Sequence, residues 1–332
     1  MKAIRFYEHG GPEVLRVEDL PIPQPQQGEV LVRIEAAGVQ FADTMRRRGS
    51  YPAPTSLPFL PGQQIVGIIE EVGEGVTTFS PGTIVLATLP YGGGYAQYVV
   101  LPVASTARLV VLPSGIDPVT VATLQVQGLT AYLNLKISGR LQPGESVLVH
   151  AAGGGVGTLA VQLAKLLGAS RVIATASTDE KLAIARELGA DVCVNYTHQD
   201  WAQQVVKANG GHGVDVILEM VGGDILTQSF ACLSPFGRLV VYGNASGQPV
   251  AVNPQQLLNP CQSITGFYLT QFFAAKPDLM RESLATLLEY ARDGRLRLDV
   301  GEVLPLAQAE DVHRHMDARQ TIGKIVLQPW AS

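Results

Sequence analysis

The residues best placed to do chemistry are Ala152, Gly154, Gly155, Val156 and Gly157, which close the stretch Ser146-Val147-Leu148-Val149-His150-Ala151-Ala152-Gly153-Gly154-Gly155-Val156-Gly157. The apolar, β-branched run before them reads as a strand buried on both faces; Val156, Leu159, Ala160, Leu163 and Leu167 then recur at helical spacing, with Gly168 as the stop. A strand, tight turn and helix in that order form an anion site, because the first helical amides point out unpaired and the helix dipole favours negative charge there. Ala152-x-Gly154-x-x-Gly157 is then the dinucleotide fingerprint with alanine in first place, Gly154 allowing the backbone to approach a pyrophosphate and Gly157 letting the helix lie close to the strand.

A second strand, Arg171-Val172-Ile173-Ala174-Thr175-Ala176, completes the unit. Where NAD sites place an acid for the ribose 2'-hydroxyl, this strand ends in the uncharged Ala176-Ser177-Thr178. Asp179 and Glu180 come late, and Ser177-x-x-Glu180 fits a helix capping box, so the two acids are expected to stabilise a first helical turn.

The elements around this turn alternate. From Gly144 to about Gly243 strands and helices follow one another, which predicts a doubly wound parallel sheet, with a further strand at Ile264 to Leu269. From Met1 to about Ser105 short strands are broken by Gly10-Gly11-Pro12, Pro61-Gly62, Pro81-Gly82 and Gly92-Gly93-Gly94, which predicts a small β barrel or sandwich. The expected strands there are Ala3 to Phe6, Val14 to Val17, Glu29 to Ala37, Gln64 to Val72, Thr83 to Thr88 and Tyr95 to Val100. The C-terminal helices and the strand Lys324 to Gln328 are expected to return to this first domain. The fold class is therefore α/β, with residues 1–122 and 271–332 forming a β-rich domain and 123–270 a nucleotide-binding domain.

A net charge of −5 over 332 residues gives nucleic acid little electrostatic support, and the one basic run, Arg46-Arg47-Arg48, reads as a solvated helix face. No stretch reaches the roughly 18 consecutive apolar residues of a membrane span, and the start reads as a strand, so a cytoplasmic protein with no membrane partner is expected. Cys193, Cys232 and Cys261 are scattered among apolar stretches, as buried reduced thiols are, and cannot make a thiolate zinc cluster. His313 and His315 read as a surface pair, not as metal ligands.

The order of domains and a set of short motifs resemble the medium-chain dehydrogenases/reductases, and within them the zinc-independent quinone oxidoreductases related to zeta-crystallin. The motifs are Ala36 to Thr44 with Arg48-Gly49-Ser50-Tyr51-Pro52, Pro61-Gly62, Gly93 to Tyr98, Gln127 to Tyr132, Ala151 to Gly157, Asn195-Tyr196, Val221-Gly222-Gly223, Gly243 to Gly247 and Arg319 to Lys324. The resemblance implies a GroES-like barrel domain beside the Rossmann domain and NADP(H) as cofactor. It implies that Lys181 and Tyr196 reach the 2'-phosphate, and that Ser177, Thr130, Gly243, Asn244, Phe267 and Arg319 lie on or near the cofactor, as does Gln40. It also implies a small-molecule quinone or enone substrate in the cleft between the domains, and a homodimer formed through the sheet edge near Ile264 to Leu269.

Two departures stand out: Gln40 replaces the family's asparagine, and Gln64-Ile65 its glutamate and glycine. The catalytic zinc ligands of the related alcohol dehydrogenases fall on Gln40, Gln63 and about Val126, none of them a zinc ligand, so reduction of an already electrophilic conjugated carbonyl is favoured over alcohol oxidation. The negative charge that hydride transfer leaves on oxygen must then meet hydrogen-bond donors, for which Gln40 and Tyr51 are the candidate catalytic residues. Asp43 reads as a first-turn acid of a helix beginning near Ala42. Two alternatives stay open. Gly266-Phe267-Tyr268-Leu269 and Tyr51 also resemble a 2-enoyl thioester reductase, and zeta-crystallin relatives include structural and RNA-binding proteins.

Overall fold

A computed structural model describes residues 1–104 and 108–331, which fall into two compact units. The unit made of Gln127–Gln271 and Gly294–Arg297 carries a six-stranded sheet in the order Val192–Asn195, Arg171–Ala176, Ser146–Val149, Val214–Glu219, Leu233–Val241, Ser263–Gly266, every neighbour parallel. The winding reverses between Ser146–Val149 and Val214–Glu219, and a doubly wound sheet opens a crevice at the carboxyl ends of its strands at that point. Ser146–Val149 is buried at every position, as a central strand with both faces covered must be. The core joins Leu148, Ile173, Ile217 and Leu239 of the sheet to Trp201 and Val205 of the helix Trp201–Ala208.

The other unit, Met1–Val126 with Phe272–Asp293 and the chain from Leu298 onward, is β-rich. Its centre is the ten-residue strand Glu29–Gly38. That strand pairs with Gln64–Val72 along most of its length, with Tyr98–Pro102 at its start and with Lys324–Gln328 at its end, all antiparallel. Ile84–Thr88 and Leu109–Val111 extend one side and Val300–Pro305 the other. Val30, Val32, Ile34, Ile65 and Ile69 pack with Leu306, Val312 and Ile325, so the last segment is part of this core. Among the described residues no helix is long and apolar enough to cross a membrane.

Several expectations need correction. Pro12 opens a short 3-10 turn, Pro12–Val14, so the strand expected at Val14 to Val17 forms instead at Arg16–Asp19. Tyr95 precedes its strand, which begins at Tyr98, and Leu109–Val111 and Val300–Pro305 are additional strands. The strand expected to reach Leu269 ends at Gly266, and Leu269 begins the helix Leu269–Ala275. Of the cysteines only Cys232 is buried; Cys193 is half-buried, and Cys261 is exposed in a turn after Pro260 with φ 53.

Candidate active site

The glycine turn is built from local geometry. Gly154 takes an extended conformation as the N-cap of the helix Gly155–Leu166, and no side chain caps the helix, so its first amides are unclaimed by side chains. A Cβ at Gly157 would lie 2.4 Å from the Ala151 carbonyl oxygen, which is why only glycine lets the helix start this close to the strand. Ala152 is buried, and its N–H donates to the Thr175 carbonyl at 2.9 Å, tying the turn to the second strand. Behind the turn, His150 is wholly buried between Thr175 Oγ1 at 2.7 Å and Ser229 Oγ at 2.9 Å. Burial pulls its pKa from 6.5 to about 3, so it is neutral.

Ser177, Lys181 and Tyr196 gather at the carboxyl end of Arg171–Ala176. The Tyr196 N–H donates to the Ala176 carbonyl at 3.1 Å, and Lys181 is so near the turn that a Cβ on Gly153 would lie 2.6 Å from Lys181 Cβ. The helix Asp179–Glu187 is capped by Thr178, whose side chain accepts from the Lys181 N–H, and not by Ser177. It is Thr178 that takes the extended N-cap conformation, which leaves Ser177 on the strand side of the cap. Asp179 and Glu180 are first-turn acids.

On the neighbouring strands, Gly243 and Asn244 follow Leu233–Val241, and Phe267 follows Ser263–Gly266 with its N–H on the Val241 carbonyl at 2.8 Å. Asn244 is held by Ser246 Oγ at 2.9 Å and by its own Nδ2 on the Gln248 carbonyl at 3.1 Å. Thr130 sits on the helix Gln125–Leu133 of this unit, whereas Arg319 belongs to the other unit, exposed and with φ 58. Glu219, which the sequence does not single out, is a fully buried acid ending the apolar strand Val214–Glu219. Its Oε1 accepts the Val221 and Gly222 N–H groups at 2.7 and 2.9 Å, and burial pushes its pKa up. An acid closing the run Val216-Ile217-Leu218 was the signal available in the sequence.

In the β-rich unit, Gln40 and Tyr51 bracket the helix Phe41–Arg48, Gln40 as its N-cap and Tyr51 just beyond the left-handed Gly49. Gln40 is buried, and its Nε2 donates to Gln64 Oε1 at 3.3 Å, which leaves one amide N–H for another acceptor. Gln64 Oε1 also accepts the Val126 N–H at 3.1 Å, and its Nε2 donates to the Ala122 carbonyl at 2.5 Å. Asp43 is the first-turn acid expected and more: its carboxylate accepts the Gln40 N–H at 2.9 Å, the Gly62 N–H at 3.2 Å and Tyr95 OH at 3.3 Å. Complete burial nevertheless raises its pKa to about 6, and burial lowers that of the nearby Lys324 to about 7.

The arginine run is not a solvated face. Arg46 and Arg47 are buried, and only Arg48 is on the surface. Arg47 pairs with Asp317 and donates to the Gly10 carbonyl, while the Arg46 guanidinium lies 4.0 Å over the Tyr51 ring. His313 is likewise buried, edge-on to Tyr95 with Nε2 at 3.3 Å from its hydroxyl, and only His315 is exposed as expected of the pair. Burial, reinforced by Arg47 and Arg48, lowers the His313 pKa to about 3.

Residues 26–113 match the family model described as alcohol dehydrogenase GroES-like domain, and residues 155–288 that described as zinc-binding dehydrogenase. The chain is 37% identical over 333 residues to a 2-haloacrylate reductase of Burkholderia, covering 98% of each chain, and 37% identical to a quinone oxidoreductase of Pseudomonas aeruginosa, covering 99% of each. The structure of Escherichia coli quinone oxidoreductase complexed with NADPH superposes with a TM-score of 0.92 at 32% identity, over 99% of this chain and 100% of that one. The chain belongs to the quinone oxidoreductase family of medium-chain dehydrogenases/reductases.

The side chains at the three positions where the sequence places the zinc ligands of related dehydrogenases do not fit the ion. Gln40 and Gln63 offer neutral amides, one already bonded to Gln64, and Val126 offers no donor side chain. Among the described residues no group of three or more His, Cys, Asp or Glu side chains could hold a metal ion. The turn does fit a dinucleotide. Its helix amides are uncapped, and Lys181 stands against Gly153 beside a strand end without an acid.

Proposed function

We propose that the chain is an NADPH-dependent reductase of quinones and other α,β-unsaturated carbonyls that works without a metal ion. The observation that carries this is the uncapped glycine turn with Lys181 packed against Gly153. Gly154, Gly155, Val156 and Gly157 would receive the pyrophosphate, and Ser177, Lys181 and Tyr196 the 2'-phosphate. Thr130, Gly243, Asn244 and Phe267 would hold the nicotinamide half, and Gln40 and Arg319 are the further residues proposed for the cofactor. Residues 1–122 and 271–332 then serve the substrate and 123–270 the cofactor.

Bound NADPH supplies a hydride. Its transfer to a conjugated acceptor builds negative charge on the carbonyl oxygen, where the second Gln40 amide N–H is a donor and Tyr51 OH supplies a proton. The names of the two bacterial relatives fit one chemistry, since a quinone and a 2-haloacrylate are both conjugated electron-poor acceptors.

The protein is proposed to be a cytoplasmic homodimer. Ser263–Gly266 is the end strand of its sheet, with Phe236 at 72% and Leu258 at 74% exposure on the same unit. Sedimentation as a monomer at working concentration overturns the dimer.

The deciding experiment follows NADPH and NADH oxidation with a benzoquinone, a simple enone and a crotonyl thioester, before and after dialysis against a chelator. Turnover of quinone or enone with NADPH, unchanged by chelation, is expected. Turnover confined to the thioester would make the protein an enoyl thioester reductase, and no turnover of any acceptor would refute the reading.

A further inference from the structure

We infer that Arg46 is a positioning residue for proton transfer, holding the Tyr51 ring and stabilising the phenolate that Tyr51 becomes when it gives up its proton. This rests on the reading of Tyr51 as proton donor given above.

The three arginines of the helix Phe41–Arg48 are used differently. Arg47 and Arg48 both reach Asp317. Arg46 is 5% exposed, yet among the described residues no carboxylate pairs with it. Its Nη2 donates to the Pro90 carbonyl at 2.9 Å and Nη1 to Thr55 Oγ1 at 3.4 Å, while Nε is buried without a partner. Two aromatic rings face the cation instead, Tyr51 at 4.0 Å and Phe59 at 5.4 Å from the guanidinium carbon.

A buried charge without a counterion is costly, and a neutral ring compensates it only in part through its quadrupole. One of the two rings can ionise. When Tyr51 loses its proton, the negative charge spreads into the ring beneath Arg46, and the contact becomes that of an ion pair. The interaction is therefore stronger while the proton is moving than before, which is the condition for raising kcat rather than lowering KM. The carbonyl and hydroxyl bonds fix the guanidinium in advance, so it need not reorganise as the charge appears.

In the reduction of an enone the atoms balance as follows. The β-carbon gains the hydride that NADPH gives up, and the electron pair of the carbon–carbon double bond moves to form an enolate. The enolate takes the phenolic proton of Tyr51, the phenolate regains one from water, and NADP+ and the saturated carbonyl are released. A reduced quinone is more acidic and can be protonated by water, so it depends less on Tyr51 and on Arg46.

The test measures enone kcat and KM together with NADPH affinity for the full-length protein and for Arg46→Met, Arg46→Lys, Tyr51→Phe and the double variant Arg46→Met/Tyr51→Phe. Arg46→Met is expected to lower kcat about tenfold or more at unchanged NADPH affinity. Arg46→Lys should recover most of that loss, and Arg46→Met should add nothing in the Tyr51→Phe background. A loss of the same size in both backgrounds, or a lysine variant no better than methionine, would show that Arg46 only supports the fold and overturn the inference. A slow Tyr51→Phe beside an unimpaired Arg46→Met overturns the inference alone, whereas an unimpaired Tyr51→Phe overturns the reading of Tyr51 itself. Where Arg46→Met does not fold, Arg46→Gln, which keeps a donor for the Pro90 carbonyl without the charge, takes its place in the comparison.

Discussion

Gln40 and Gln64, two of the three residues read from the sequence as departures from the pattern it resembles, meet amide to amide at 3.3 Å. The longer Gln40 side chain spans to Gln64, and Gln64 in turn holds the Val126 N–H and the Ala122 carbonyl. Gln64→Leu leaves both of those backbone groups unpaired in the interior and should cost about 2–4 kcal/mol in urea unfolding. Gln40→Asn gives up only the long amide contact and should cost less than about 1.5 kcal/mol. Equal losses for the two variants would mean that Gln64 does not organise the segment leading to Val126.

Cofactor choice should reside in Lys181. NADPH is expected to bind at least about tenfold more tightly than NADH, a gap of about 1.4 kcal/mol, and Lys181→Ala should remove most of it. Gly153→Ala pushes against Lys181 and should narrow the same gap with the lysine still present. Fluorescence titration of both nucleotides reads both effects, and equal affinities in the unaltered protein would refute the assignment.

Tyr51→Phe should lower enone kcat by about 10²-fold while leaving NADPH affinity intact, with a smaller loss for a quinone. Steady-state kinetics on one acceptor of each kind decide this. Equal rates for variant and parent on both acceptors would reduce Tyr51 to a wall of the site.

Asp317→Ala removes the only carboxylate partner of the buried Arg47 among the described residues. A guanidinium left uncompensated in the interior should cost about 3 kcal/mol, far more than a surface pair. A change in urea midpoint typical of exposed residues would restore the reading of this helix as a solvated face.

Acid should act on the fold through His150. Its pKa is 6.5 when unfolded and about 3 when buried, so between those values the unfolded chain binds a proton that the native one does not, and stability is lost as pH falls. His150→Asn is less stable throughout but cannot titrate. The parent should therefore lose about 1.4 kcal/mol per pH unit relative to the variant from about pH 6 down to pH 4. Parallel stability curves for the two proteins would show that His150 is protonated in the native state.

What the sequence alone determined is what local chemistry controls. The glycine turn, the alternation of strands and helices from Ser146 to Val241 and the uncharged end of the second strand follow from side-chain periodicity and from where a Cβ can fit, and both are properties of neighbouring residues. Only the tertiary structure decided the burial of Arg46, Arg47 and His313. A charged residue reads as surface until a distant partner covers it, and here the partners are the Gly10 and Pro90 carbonyls, Tyr95 and an aspartate 270 residues along the chain. The same reason hid Glu219, whose burial comes from its strand lying inside the sheet, and the meeting of Gln40 with Gln64, which depends on how Glu29–Gly38 pairs with Gln64–Val72. Pairing across a sheet brings together residues whose separation in sequence carries no periodic signal, so the contacts that tune this site appear only once the chain has folded.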